Sequence, residues 1–574
     1  MGVRLTSQDE DLWFNRAWDG LTWAAHSRDV TIARVAAAQE VCVRKVQAPS
    51  LALVAVAANL VVTLPLAYFL NIWQDEAYTL HTTGSGFAYA FHQAIAFEQN
   101  APFYFVFLTA WRHFGESIFF LRLPSVLFVA IAIALVPELV RRYVPAADAA
   151  LVTLVVAWNP FVIWTALEMR VYALVILLSA LLLLTFYDAF LAERPSKGAA
   201  IAYAAVCVLG LYTQYYLGFL IAAQAATVLL YRRQAFARFA LCAAAGALGF
   251  APMLAIVPGQ VQNFKNAFTP PTLVQAFAVL GLILARYALP LIVPHAKYIY
   301  AALAAGAGAA ALAAWRKLAP FGEATILVMT GLAFVGFALG TYALGVHILD
   351  RHAASLYLPS LLSIFAVLTF LRASVRRRAS LIWCVVALAA SMAALVKTYA
   401  PLAKPGDWVR ATAYLQANES PNEPVAVFEA ENALPFAYYY HGLNRITAVP
   451  RSVDFNGYNI SRFVIADPAE LETVLPRAAR IWLVTAGECR SANVRFGCDE
   501  LEGFVGRHFR VESDARFYGA RIRLLFRAQA GGGFGGDLRG AKFAPPAGVR
   551  RLKGVILGGL VNFDYVARPL LRRV

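Results

Sequence analysis

Between residues 50 and 397 the chain consists largely of apolar segments, each long enough to cross about 30 Å of hydrocarbon, joined by short polar turns. They lie near 50–70, 118–140, 146–166, 170–191, 198–213, 215–231, 236–257, 298–315, 323–346, 354–371 and 380–397. Nothing else restricts the fold so strongly. In lipid every backbone N–H and C=O must be satisfied internally, which leaves helices or a closed barrel. These segments are continuous runs of Leu, Ala, Val and Phe without the alternation of a barrel strand, so helices are expected. Composition agrees: 60% of the 574 residues are hydrophobic, 15% are charged and mean hydropathy is +0.60. Soluble domains carry about a quarter charged residues.

The net charge of +16 does not indicate nucleic acid, because most Arg and Lys lie in short loops between spans or in the two tails. That is the positive-inside pattern. The basic loops at 141–142, 194–197, 232–238, 316–317 and 372–378 all fall on one side if the N-terminus is cytoplasmic and eleven segments cross. Residues 1–48 are polar and charged with no compact apolar h-region, so no cleavable signal peptide is expected. Residues 71–117 and 258–297 then form large outer loops. Phe87, Phe91 and Ile95 recur there at helical spacing, and "APFYFVFLTAWRHF" follows as a second apolar helix. Both suit helices lying along the interface. Segments 101–114 and 273–293 are alternatives as crossings, and thirteen spans would leave the C-terminus on the same side.

After Lys397 the composition changes. "PVAVFEA", "RITAVP", "RIWLVTAG" and "RIRLLFR" read as strands, while "GDWVRATAYLQAN" and "LPFAYYYHGL" read as helices. Residues 398–528 are therefore expected to form a soluble α/β domain. "GGGFGG" at 531–536 is a linker by composition, and 529–574 is completed by a basic tail. Cys489 and Cys498 are the two cysteines of this outer domain and can close a short disulfide loop in an oxidising compartment. No Cys/His spacing for zinc is present.

On this topology the polar residues of the membrane part collect on one side. Asp75 and Glu76 follow the first span in "NIWQDEAYTLHT". Glu98, Gln99 and Asn100 precede "APFYF". "WTALEMRVYAL" places Glu168, Arg170 and Tyr172 at another outer turn; "YTQYY" adds Gln214, Tyr215 and Tyr216, and "LGVHILDRHAASLY" adds His347, Asp350, Arg351 and His352. Each has a bland reading: solvated loop carboxylates, an arginine snorkelling to headgroups, tyrosines of the aromatic belt. Together, carboxylates and arginines at one depth suit a substrate with a transferable polar group and a phosphate. Arginine offers a planar fork matched to phosphate oxygens. A nearby carboxylate can take the proton of an attacking hydroxyl. Displacement at an anomeric carbon, with lipid phosphate leaving, would use both and invert configuration.

The order apolar span, "WQDEAY", "EQNAPFYFVFLTAWRHFGESIFFLRLPSVL", basic loop, "NPFVIWTALEMRVYAL" resembles the C-type glycosyltransferases that use polyprenyl-phosphate sugars. Within them it is similar to the bacterial branch related to protein O-mannosyltransferases and the lipid A aminoarabinose transferase. The likeness extends over about 50–260, more loosely over 298–397, and to the domain after "KPGDWVRATAYL". It implies an all-α polytopic membrane protein of the GT-C type, with about 11–13 transmembrane helices and a C-terminal α/β domain. It implies an inner-membrane glycosyltransferase with its site at the periplasmic face, a polyprenyl-phosphate-linked sugar as donor, and a lipid, glycan or protein as acceptor. By the same resemblance Asp75 is the base with Glu76 completing the pair. Glu98 belongs to the acceptor or a metal, Arg170 and Tyr172 lie beside the donor phosphate, and Arg351 is a further phosphate ligand. Glu168, Tyr215 and His352 join them as substrate-binding candidates. The turn at 100–102 reads Asn-Ala-Pro where relatives often have His-Pro-Pro or Asn-Pro-Pro, which leaves a divalent metal open. A transporter of lipid-linked sugars is the competing class, but it would more often show internal repeats and polar residues at the midplane.

Overall fold

A computed structural model describes residues 52–527 apart from 268–269, 293–295, 297, 303–304, 306–320, 347, 488 and 492–493. The N-terminal segment 1–48, most of the span expected at 298–315, His347 and the linker and tail at 529–574 lie outside the described residues.

The protein is mostly helical. Seven helices are long and apolar enough to cross a membrane: α1 (Ala52–Phe69), α5 (Ile118–Tyr143), α8 with its π-helical end (Tyr172–Leu191), α11 with flanking turns (Arg233–Ala255), α14 (Phe321–Leu344), Asp350–Leu368 including α15 (Tyr357–Leu368), and α16 (Ala373–Tyr399). A further helix pair, α6 (Ala149–Ala157) and α7 (Pro160–Ala166), is long and apolar enough when taken together and is bent by 55° between its halves. The sequence explains the bend. Pro160 has no N–H to continue the ladder, and Asn159 accepts the Phe161 N–H at 3.0 Å, capping a new helix. Shorter apolar helices are α9 (Lys197–Thr213), α10 (Leu217–Tyr231) and α13 (Leu273–Ala288). Ten of the eleven segments expected to cross are thus helices in the described residues. α8 sits at the centre, with most of its residues buried.

Three short helices follow the first span or lie at the same end: α2 (Gln74–Thr82), α3 (Phe87–Ala96) and α4 (Phe103–Arg112). At about 1.5 Å per residue neither α3 nor α4 reaches across the hydrocarbon. α2 has Asp75 and Glu76 in its first turn, where carboxylates favour the positive end of the helix dipole. α12 (Val257–Ala267) lies between α11 and α13.

The C-terminal part opens with α17 (Trp408–Asn418) and holds a five-stranded mixed sheet ordered β2-β1-β3-β7-β6. β1 (Val425–Phe428) is an interior strand and fully buried, parallel to both β2 (Ile446–Ala448) and β3 (Arg480–Ala486). β7 (Ala520–Arg527) runs antiparallel to β3 and closes a hairpin with β6 (Phe509–Phe517). α18 (Ala433–Tyr439) follows β1, and Cys489 is bonded to Cys498 at the start of α20 (Cys498–His508). The hairpin turn pins the linker to the membrane part: Gly406 N–H donates to Tyr518 O at 2.9 Å. A Cβ on Gly519 would come within 2.8 Å of Gly406 N, and both glycines have positive φ.

Candidate functional site

Turns from separated parts of the chain enclose a cavity of about 320 Å³ at one end of the helices. α2 contributes Asp75 and Tyr78, and the turn between α3 and α4 contributes Glu98. The approach to α8 brings Arg170 and Tyr172, the turn between α9 and α10 brings Tyr215 and Tyr216, and the turn before α15 brings Arg351 and His352. Seven of the nine residues singled out in the sequence, namely Asp75, Glu98, Arg170, Tyr172, Tyr215, Arg351 and His352, line this one space. Glu76 and Glu168 do not.

Arg170, 6% exposed, holds one wall. Its Nη1 donates to Glu98 Oε2 at 2.6 Å and Thr79 Oγ1 at 3.0 Å, and its Nε lies 3.9 Å from Asp75 Oδ2. Glu98 also accepts from the Thr82 hydroxyl at 3.2 Å. Arg351 approaches the same Asp75 oxygen at 3.6 Å and lies over the Trp73 ring, 5.7 Å from its centroid. Asp75 therefore stands between two guanidinium groups. On the far side of Arg351 the His352 ring stacks on Tyr216 at 5.3 Å, and Tyr216 in turn stacks on Phe337. Phe219 packs on Phe337 as well, and Thr341 and Leu344 from α14 add to the wall of the cavity.

Glu76 and Glu168 lie beneath the cavity in a buried four-charge cluster. Arg122, from α5, grips Glu76 with both ends of its fork, Nε to Oε1 and Nη2 to Oε2, each at 2.8 Å. It also donates to the carbonyls of Ala67, Leu70 and Asn71, which end α1. Lys404 Nζ bridges Glu76 at 2.7 Å and Glu168 at 2.8 Å, and Trp73 Nε1–H donates to Glu168. Burial would raise the Glu76 carboxyl, but Arg122 and Lys404 outweigh it and hold it below the ordinary carboxylate range. Burial pushes Glu168 up to about 7; Lys404 opposes the rise and the negative Glu76 adds to it. The cluster is neutral overall and fully hydrogen-bonded, the condition under which buried charges persist.

The C-terminal part docks over this end. Lys404 N–H donates to Asn71 Oδ1 at 2.8 Å, Tyr439 Oη accepts from Ile72 N–H at 3.0 Å, and Gln74 Nε2–H donates to Asn432 Oδ1 at 2.9 Å. It brings Glu431 and Tyr458 into the cavity wall.

The sequence reading overlooked Arg122, Lys404, Glu431 and Tyr458. Arg122 carried a signal, since an ionisable residue inside an apolar span demands a partner. Glu431 carried another: it follows the carboxyl end of β1, parallel to both neighbours, where open α/β sheets place ligands. Lys404 carried none, because its partners lie 328 and 236 residues away.

Two of the three carboxylates facing the cavity, Glu98 and Asp75, are already matched by arginines, which does not suit a cation cage. Glu98 is taken up by Arg170 and Thr82, and Asp75 lies within ion-pair reach of two arginines. Among the described residues the group with ligand spacing is Glu429 with Cys489 and Cys498, whose sulfurs are bonded to each other.

No family model matches the sequence, and no curated protein matches it either. Solved structures do match. ArnT from Cupriavidus metallidurans in the apo state aligns with a TM-score of 0.52 at 13% identity, over 82% of this chain and 97% of that one. The same protein bound to undecaprenyl phosphate gives 0.48 at 14% identity over the same shares. The Archaeoglobus fulgidus oligosaccharyltransferase, in complex with Zn and sulfate, gives 0.40 at 13% over 75% and 68%. The fold assignment rests on the first of these together with the arrangement of helices and sheet described above. The chain is a multi-pass membrane protein with the fold of ArnT, the GT-C fold of membrane glycosyltransferases.

Proposed function

We propose that the protein is an inverting glycosyltransferase that moves a sugar from a polyprenyl-phosphate donor to an acceptor hydroxyl. The site would sit at the periplasmic face of a bacterial inner membrane, with the N-terminus cytoplasmic, as the distribution of basic loops favours. Residues 49–397 form the catalytic membrane part in this reading, and 398–528 cap it. The observation that carries it is the convergence of Asp75, Arg170 and Arg351 on one cavity whose wall also takes in Phe219 and Leu344 from apolar helices.

Asp75 accepts the proton of the acceptor hydroxyl as its oxygen attacks the anomeric carbon. The bond from that carbon to the phosphate oxygen breaks, and the electron pair leaves on the phosphate. Arg351 and Arg170 stabilise that charge, the larger part of the task because phosphate needs little protonation to leave. Glu98 fixes Arg170, which would otherwise collapse onto Asp75. Tyr172, Tyr215 and His352 shape the wall. Glu76 and Glu168 act from below, by fixing the turns that carry Asp75 and Arg170. The acceptor is a lipid, a glycan or a protein.

The test is sugar transfer by the purified chain in detergent, from a panel of polyprenyl-phosphate sugars to a membrane extract, with and without a chelator. Removing the base in Asp75→Asn should lower the rate by about 10²–10⁴ with the fold retained. Unimpaired transfer by a folded Asp75→Asn protein would refute the assignment. Donor movement across liposomes without transfer would identify a transporter instead.

A further inference from the structure

The cavity has two unlike sides. Next to His352, whose ring stacks on Tyr216, the wall includes Phe219 and Leu344, and Phe219 packs with Tyr216 on Phe337 from the membrane helices. On the side of the C-terminal domain it is lined by Glu431, Tyr78, Tyr458 and Phe97. Tyr78 and Tyr458 both donate to Glu431 Oε1, the latter at 3.3 Å. Among the described residues Oε2 takes no hydrogen bond. Phe97 packs edge-on against both phenols, with ring centroids 5.0 Å and 6.0 Å away. The paired Asp75 and Arg351, 3.6 Å apart, stand close enough for both charges to act on Glu431 and Tyr458.

A lipid-phosphate sugar can enter such a space in one direction. Its tail belongs against the membrane helices, its phosphate at the arginines, and its ring at the end made by the soluble domain. At about 320 Å³ the cavity lies at the small end of the ~300–1,000 Å³ typical of ligand sites, which suits one ring and one phosphate. A carboxyl with one oxygen held by two phenols and the other unengaged, beside aromatic faces, is suited to a pair of sugar hydroxyls. It accepts from them when ionised and donates to them when protonated, and hydroxyl recognition discriminates far more strongly than an apolar wall.

Resting on the donor reading above, we infer that Glu431, set by Tyr78 and Tyr458, binds the hydroxyls of the donor's sugar ring. The C-terminal domain is then part of the donor site and selects the sugar.

Binding of bare polyprenyl phosphate and of polyprenyl-phosphate glucose, mannose and galactose to the full chain in micelles, followed by native mass spectrometry, tests this without requiring turnover. The wild type should prefer at least one sugar-bearing lipid over the bare one. Glu431→Gln and Tyr458→Phe should each reduce that preference, Glu431→Gln by about tenfold, the order of one hydrogen bond to a charged group. Affinity for bare polyprenyl phosphate should not change. Arg351→Ala should weaken bare and sugar-bearing lipids alike. A preference unchanged in Glu431→Gln, or absent from the wild type, overturns the inference while leaving a lipid-phosphate site intact. Wild-type protein that binds none of the four lipids overturns the donor reading itself. If Glu431→Gln does not fold, Tyr458→Phe, which keeps the ring and the carboxyl, decides by the same ratio.

Discussion

Replacing Lys404 by methionine removes one of two cations from a buried cluster of four charges. Its Nζ lies 2.7 Å from Glu76 and 2.8 Å from Glu168, so the variant leaves two carboxylates facing Arg122 alone. Breaking a buried pair by deleting one partner costs about 3–5 kcal/mol. Protonation supplies a partial remedy. Glu168 already stands at about 7 through burial, with Lys404 opposing and Glu76 adding; without Lys404 its carboxyl rises further and takes up a proton near neutrality. Two consequences follow. A carboxyl raised in the folded state binds more protons there than in the unfolded chain, so stability falls as pH rises from the unfolded to the folded value; the deficit of Lys404→Met should therefore shrink as pH falls toward about 7 and stay level below it, where both proteins carry the Glu168 proton. And adding Glu168→Gln should restore charge balance, leaving Glu76 with Arg122. Unfolding of detergent-solubilised protein by added SDS, followed by tryptophan fluorescence, should show the double variant more stable than the sum of the singles by about 2 kcal/mol, within the range for residues sharing one network. Additivity within about 0.5 kcal/mol would refute the cluster as a coupled unit. Limited proteolysis should also find the 400–407 linker more open in Lys404→Met.

Two further outcomes can be measured on the same protein. Burial raises Glu431 from an ordinary 4.5 to about 7, with Tyr78 opposing and Asp75 adding, so Glu431 alone should cost the wild type at most about 3 kcal/mol as pH rises through that interval, at about 1.4 kcal/mol per unit and beside the loss from Glu168. Glu431→Gln should make that part of the profile shallower by its share, and an unchanged slope would contradict the protonated state. The bond between Cys489 and Cys498, 9 residues apart, closes a short loop worth about 2–3 kcal/mol; Cys498→Ser should lower the unfolding midpoint of the C-terminal domain, and an unmoved midpoint would show the loop is held by other contacts.

Much of the architecture follows from hydropathy alone. A run of Leu, Val and Ala as long as 172–191 can only be a buried helix, and "WNPF" breaks another helix because proline lacks the donor that the ladder needs. The strands β1, β3 and β7 were legible for the same local reason, their short β-branched and aromatic runs. β6 was not, since "FRVESDARF" is a polar edge strand whose pairing with β7 identifies it. The choice of Asp75, Arg170 and Arg351 came from charges that apolar neighbours made conspicuous, and tertiary structure brings all three to one cavity. What it divided was the adjacent pair in "QDE". On a helix successive residues point about 100° apart, so Asp75 faces the cavity while Glu76 faces Arg122 and Lys404. No local pattern separates the two. The partners that do so come from α5 and from a linker more than three hundred residues along the chain, and the wall that holds Glu431 exists only once the C-terminal sheet has docked on the end of the first span.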